Sequence, residues 1–165
     1  YRVMANFDQA EAELKTVMAA YPERTVLTTD LGLLYFESGR FKDALDQFQK
    51  AAAGSDFPYS SYNSYYLART LQQLGKLEQA GRIYEDLLLE LPYYSRLYYQ
   101  LSRLRAAQGK ADEGYYYLGV YHWQEGEADT AKRYLKQAVS QLPSGHEIRK
   151  QAEELLKKID RLEKV

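Results

Sequence analysis

The chain of 165 residues contains two histidines and no cysteine, so His122 and His146 are the first side chains to weigh for chemistry. A closed zinc site of ordinary nitrogen and sulfur ligands cannot be assembled from so few donors in one chain. His146 opens the stretch His146, Glu147, Ile148, Arg149, Lys150, one substitution short of the His-Glu-x-x-His helix of zinc proteases. Lysine in the last place removes a ligand and adds positive charge. His122, between Tyr121 and Trp123, reads as a packed imidazole. No phosphate loop, Walker pattern or nucleophile elbow occurs. Glu78, Glu85, Asp86 and Glu90 fall singly along a helix face as a solvated surface, and the serines between Asp56 and Ser64 fit a loop and a helix start. These residues predict a chain without catalysis, metal or cofactor. Recognition chemistry is better supplied. Tyr65 and Arg69 recur 34 residues later as Tyr99 and Arg103. Tyrosine gives a large amphipathic contact at low entropic cost, and arginine a planar fork for carboxylates or peptide carbonyls.

Composition narrows the partners. Of 17 tyrosines, 13 lie between Tyr59 and Tyr121. With 45% hydrophobic and 27% charged residues the chain can bury a core, while its apolar runs are too short to span a bilayer, so no direct membrane insertion is expected. A net charge of -1, from 22 basic and 23 acidic residues, makes a poor electrostatic footprint for nucleic acid. Absence of cysteine fits a reducing cytoplasm and equally a periplasm without bridges.

The elements that must position the Tyr and Arg pairs are read from spacing. Gly39, Gly75, Gly109 and Gly126 each end a helical pattern, at intervals of 36, 34 and 17 residues, and eight residues before each stands Leu31, Leu67, Leu101 or Leu118. Ala44, Ala80 and Ala131 follow three of those leucines by thirteen, and Gly114 takes that place after Leu101. A first copy runs Leu31, Gly32, Tyr35, Gly39, Ala44, Phe48, Ala51 to Pro58; a second runs Leu67, Ala68, Leu71, Gly75, Ala80, Tyr84, Leu87 to Pro92. This resembles the tetratricopeptide repeat (TPR) family, whose unit of about 34 residues is a pair of antiparallel helices. The resemblance implies an all-α fold, a right-handed solenoid or superhelix of helix pairs. After Leu101 the register changes: the helix from Ala111 to Glu125 also carries Leu118 and Gly119 and leads to Ala131, Leu135, Ala138 and Pro143. Three successive helices are expected there, the middle one shared by two repeat readings.

The predicted divisions are residues 1–24 as the second half of a truncated repeat, 25–58 and 61–94 as repeats, 95–143 as one and a half repeats, and 144–165 as a capping helix. Ala10, Leu14, Val17 and Pro22 match a second helix whose partner should precede Tyr1, so the chain is expected to be a section of a longer protein. At the other end Ser144 and Glu147 predict a capping box, followed by one apolar stripe of Ile148, Ala152, Leu155, Ile159 and Leu162 that would cover the last repeat.

In such solenoids the first helix of each repeat lines a concave groove. By that rule Tyr65, Arg69, Tyr99 and Arg103 face inward, Tyr62 and Arg96 extend the strip by a turn, and Tyr116 holds the equivalent place in the shifted reading. Between Tyr94 and Arg105 the arginines Arg96, Arg103 and Arg105 occur with no acid. The strip is predicted to bind a protein or peptide ligand. The lysine and asparagine pattern of chaperone-tail clamps is absent from these places. Tyr66, Tyr84, Tyr98, Tyr117 and Tyr121 are assigned to packing between repeats. Finally, GKADEGYYYLGVYHWQEGEADTAKRYLKQAVSQLP and the charged helix ending RLEKV resemble the C-terminal repeat tract of BepA-like bacterial zinc metallopeptidases, best over residues 93–165. That resemblance implies a recruiting domain for a catalytic domain this chain lacks, in the periplasm, with outer-membrane assembly components as partners. The alternative is a free-standing TPR scaffold, with a cytoplasmic location open.

Overall fold

The computed structural model describes residues 2–53 and 61–162, apart from the side chains of residues 2–5 and 25. The expected turn at Pro58 and the serine-rich stretch before residue 61 lie outside the described residues, as does Tyr1. Among the described residues there are nine helices: α1 Arg2–Ala20, α2 Thr25–Glu37, α3 Phe41–Ala53, α4 Ser61–Gln73, α5 Leu77–Glu90, α6 Ser95–Ala107, α7 Ala111–Gln124, α8 Ala128–Gln141 and α9 Glu147–Leu162. None is long and apolar enough to cross a membrane.

Four of these helices end in the same way. Gly39, Gly75, Gly109 and Gly126 sit at φ of 77°, 73°, 78° and 82°. The amides of the next residues, Arg40, Lys76, Lys110 and Glu127, donate back to the carbonyls of Tyr35, Leu71, Arg105 and His122 at 2.8, 2.9, 2.8 and 2.8 Å. This is the Schellman closure, which needs a left-handed residue just past the helix end and so favours the one without a Cβ. The glycine spacing in the sequence is therefore a spacing of helix stops.

The chain divides into two compact units, residues 1–83 and 84–165, with the boundary inside α5. In the first, α1 packs on α2, α2 on α3 and α3 on α4. Gly32 lets α2 approach α3 so closely that a Cβ there would lie 2.7 Å from the ring of Phe48, which is fully buried. A buried polar tie fixes α2, α3 and α4 in register: Thr29 donates to Asn63 Oδ1 at 3.2 Å, and Asn63 Nδ2 donates to the Phe48 carbonyl at 3.1 Å. At the α1–α2 contact, Glu11 accepts from Lys15 at 2.6 Å, from the Tyr35 hydroxyl at 2.8 Å and from Arg40 at 2.5 Å.

These partners, Lys15 foremost, then Tyr35 and Arg40, hold the Glu11 carboxyl below its ordinary 4.5, at about 2. A carboxylate depressed in the folded state stabilises fully above the unfolded value, and that contribution is lost as pH falls from about 4.5 toward 2. Glu11→Gln should consequently melt lower than the parent at pH 7, with the gap narrowing as pH falls through that window. Parallel thermal melts at pH 7 and pH 2.5 check this; a gap independent of pH would show that the cluster does no electrostatic stabilising.

In the second unit α6 packs on α7, α7 on α8, and α9 on both α8 and α7. Helix α7 therefore has two working faces. At Gly114 a Cβ would stand 3.1 Å from the Ser102 carbonyl of α6, which explains why this site, alanine in other copies, holds glycine: backbone cannot step aside. At Gly119 a Cβ would stand 2.6 Å from Leu135 of α8. Five residues at 100° each set the two faces about 140° apart.

The terminal helix seals the end of this unit. Ala152 and Ile159 are fully buried against Ala131, Leu135, Ala138 and Leu142, with Ile148, Leu155 and Leu156 packed alongside. The stripe expected to reach Leu162 stops at Ile159, since Leu162 is 55% exposed. The expected capping box is also corrected. Gly145, at φ 92°, turns the chain so that His146 becomes the N-cap: its Nδ1 accepts from the Ile148 amide at 3.3 Å and its carbonyl from the Lys150 amide at 3.2 Å. Glu147 is the first helical residue rather than the third.

Candidate recognition face on α6

Helix α6 starts without a side-chain cap, from an extended Tyr94 at φ -85° and ψ 92°. Its first turn is closed by the Leu97 amide on the Tyr94 carbonyl at 3.0 Å. The preceding turn is held by the Pro92 carbonyl, which accepts from the Tyr98 hydroxyl at 2.9 Å and from Gln124 Nε2 at 3.0 Å. Leu97, Leu101 and Leu104, spaced four and three, are fully buried and fix the helix rotation. That rotation leaves Arg96, Tyr99 and Arg103, spaced three and four, exposed along another face. Among the described residues neither Arg96 nor Arg103 has a carboxylate at ion-pair distance.

Arg105 leaves the strip to which its sequence position assigned it. Its guanidinium pairs with Glu85, stands 3.2 Å from Glu113, donates to Gln108 at 2.9 Å and lies over the Tyr117 ring at 6.0 Å. It ties α5, α6 and α7 together. Burial pushes the Tyr117 hydroxyl above its ordinary value.

The other expected site residues divide. Tyr99 is 40% exposed and its ring lies 5.4 Å from that of Tyr121 on α7. From Tyr121 the rings continue to His122 at 5.0 Å, on to Tyr134 of α8 at 5.3 Å and 9°, and to Tyr115 at 6.3 Å. His122 also pairs with Glu127 through Nδ1 at 2.8 Å. Tyr121 and His122 pack as the sequence suggests, through ring contacts with Tyr99 and Tyr134, and so lie behind this face. Tyr116 is placed differently from the expectation. It packs against the α8–α9 core, and burial raises its hydroxyl to about 12.

In the first unit Tyr62 is exposed, 4.9 Å ring to ring from Tyr66. Tyr65, by contrast, is 8% exposed, so it offers little surface to a ligand. Arg69 lies over the rings of Phe36, Tyr66 and Tyr65 at 4.6, 5.2 and 5.7 Å. Desolvated stacking of this kind holds a guanidinium in place. The two Tyr and Arg pairs, alike in sequence, thus differ in use: Arg69 is engaged by rings of its own unit, and among the described residues Arg103 stacks on none. Gln100 occupies, beside Arg103, the place that Tyr66 holds beside Arg69. Among the described residues no three His, Asp or Glu side chains gather to hold a metal.

Helix hairpins stopped by glycine, with small residues at their close approaches and a period near 34, define an all-α helical-repeat protein. Profiles of the tetratricopeptide repeat family match residues 1–61 and 64–86, and the chain belongs to that family. It is a protein-interaction scaffold by class. The regulatory protein RapG of Bacillus subtilis (strain 168) is 29% identical over 92 residues, covering 50% of this chain. That match takes in 25% of RapG, so the chain spans about a quarter of that relative's length. Among solved structures, MamA superposes with a TM-score of 0.60 at 20% identity, over 84% of this chain and 90% of that one. YrrB, described as a TPR protein with an unusual peptide-binding site, superposes with a TM-score of 0.57 at 16% identity, over 93% of this chain and 86% of its own. At these identities the likeness is one of fold.

Proposed function

We propose that this domain binds an extended polypeptide segment on the exposed face of α6. The observation that carries the reading is the line Arg96, Tyr99, Arg103: two exposed guanidinium groups with no carboxylate at ion-pair distance among the described residues, and a half-exposed ring, on a helix whose buried leucines fix its orientation. YrrB, a relative in fold, is described as binding peptide, which supports the ligand class. Truncating a Tyr and an Arg of a binding hot spot costs about 2 kcal/mol or more, roughly a thirtyfold change in Kd. Peptides selected from a displayed library against the parent protein should therefore bind Tyr99→Ala with Arg103→Ala at least about tenfold more weakly by fluorescence anisotropy. Unchanged affinity removes the α6 face from consideration.

The setting follows from the likeness of residues 93–165 to the repeat tract of BepA-like envelope metallopeptidases. On that basis the domain recruits substrates and outer-membrane assembly components in the periplasm for a catalytic domain encoded upstream. A free-standing scaffold is the second reading, favoured by the superposition on MamA, 90% of whose chain these helices cover. The parent reading frame decides: a His-Glu-x-x-His domain upstream of Tyr1 supports the first, and its absence there leaves the second.

A further inference from the structure

Resting on the polypeptide-binding reading, we infer that the α6 face selects an acidic segment carrying two carboxylates about three residues apart, with an apolar or aromatic side chain between them. Helix α6, SRLYYQLSRLRAA, contains three arginines and no acid, in a chain whose net charge is only -1. The structure spends one of the three internally, on Glu85 and Glu113. Arg96 and Arg103 remain, both exposed, and among the described residues no carboxylate lies at ion-pair distance from either. An uncompensated pair of like charges on one helix face is a cost in the free protein and a gain when an anion arrives.

Spacing specifies the anion. Seven residues of α-helix rise about 10.5 Å. A peptide extended as a polyproline II helix advances about 3.1 Å per residue with three residues per turn, so side chains three apart span nearly the same distance and point the same way. A peptide lying along α6 can thus present one carboxylate to each guanidinium, where the planar fork accepts two hydrogen bonds. Tyr99 sits between the two arginines, backed by Tyr121, and offers its ring to whatever side chain lies between the acids. Phosphates of a single strand are the rival anion, disfavoured because, among the described residues, α6 presents two exposed arginines on this face, few for a phosphate backbone.

The test uses the whole chain and labelled peptides of about ten residues. One carries two glutamates three positions apart around a phenylalanine; companions carry glutamine or lysine in their place, and an oligothymidine serves as the nucleic-acid probe. The glutamate peptide should bind at least about tenfold more tightly than the glutamine peptide at low salt. The preference should shrink at 0.5 M salt, where the screening length drops to about 4 Å and exposed charges attract one another less. It should vanish in the Arg96→Gln, Arg103→Gln double variant, whose exposed substitutions leave the circular dichroism melt unchanged. Equal binding of all three peptides overturns the acidic preference and leaves the polypeptide reading standing. Failure of these and of every library-selected peptide overturns both. Tighter binding of oligothymidine than of the glutamate peptide overturns the inference in favour of nucleic acid.

Discussion

A chain ended after Pro143 is expected to melt at a markedly lower temperature than the parent and to self-associate. Removing α9 strips cover from Leu135, Ala138 and Leu142, and discards Ala152 and Ile159, which are themselves fully buried. Each large apolar side chain returned to water costs about 1.5–3 kcal/mol. Several of them together approach the whole stability of an ordinary domain. The Leu142 carbonyl also loses Arg149, which donates to it at 2.9 Å. For a unit of this size 1 kcal/mol moves Tm by about 4–8 °C, so the shift should be large. Calorimetry and size-exclusion chromatography read the two effects. A Tm within a few degrees of the parent, with unchanged elution relative to mass, would mean that α9 is an appendage. Ile159→Ala, expected to cost about 2–5 kcal/mol, tests the same contact without removing chain.

Gly119→Ala is the second large effect, and its sign is the informative part. Alanine is worth about 1 kcal/mol over glycine in a helix interior, so propensity alone calls for stabilisation. Against this, a Cβ at this position would lie 2.6 Å from both Cγ and Cδ2 of Leu135, whose side chain is fully buried and has nowhere to go. Overpacking of that kind costs about 1–3 kcal/mol and should win. The variant should therefore melt lower. Leu135→Ala makes room, so the double variant should be less destabilised than the two single changes added together. Additive losses, or a raised Tm in Gly119→Ala, would mean that α7 and α8 are not held at the distance described.

The sequence was informative wherever structure depends on local backbone demand or on close helix approach. Glycines one step past helix ends, and alanine or glycine where helices meet, are visible as spacing because each copy needs a left-handed residue at the stop and a side chain no larger than a methyl at the approach. Pairings between distant residues were not visible. In sequence Arg105 belongs to a stretch of three arginines without an acid, because its partners Glu85 and Glu113, twenty and eight residues away, carry no periodic mark. The N-cap moved from Ser144 to His146 because the positive φ of Gly145 decides where the helix can begin, and serine two residues early is outside it. Tyr65 and Tyr99 occupy matching places, yet one is 8% and the other 40% exposed: exposure is set by neighbours rather than by register.

The two faces of α7 bear on how arrays of this kind lengthen. A helix that can close one hairpin with its Gly114 side and open the next with its Gly119 side belongs to neither alone. Growth is then not quantised in whole hairpins: one helix with its turn, the 17 residues from Gly109 to Gly126, is already a permitted increment. The parity of the helix count becomes free, and so does the choice of which surface the final helix presents to whatever follows it.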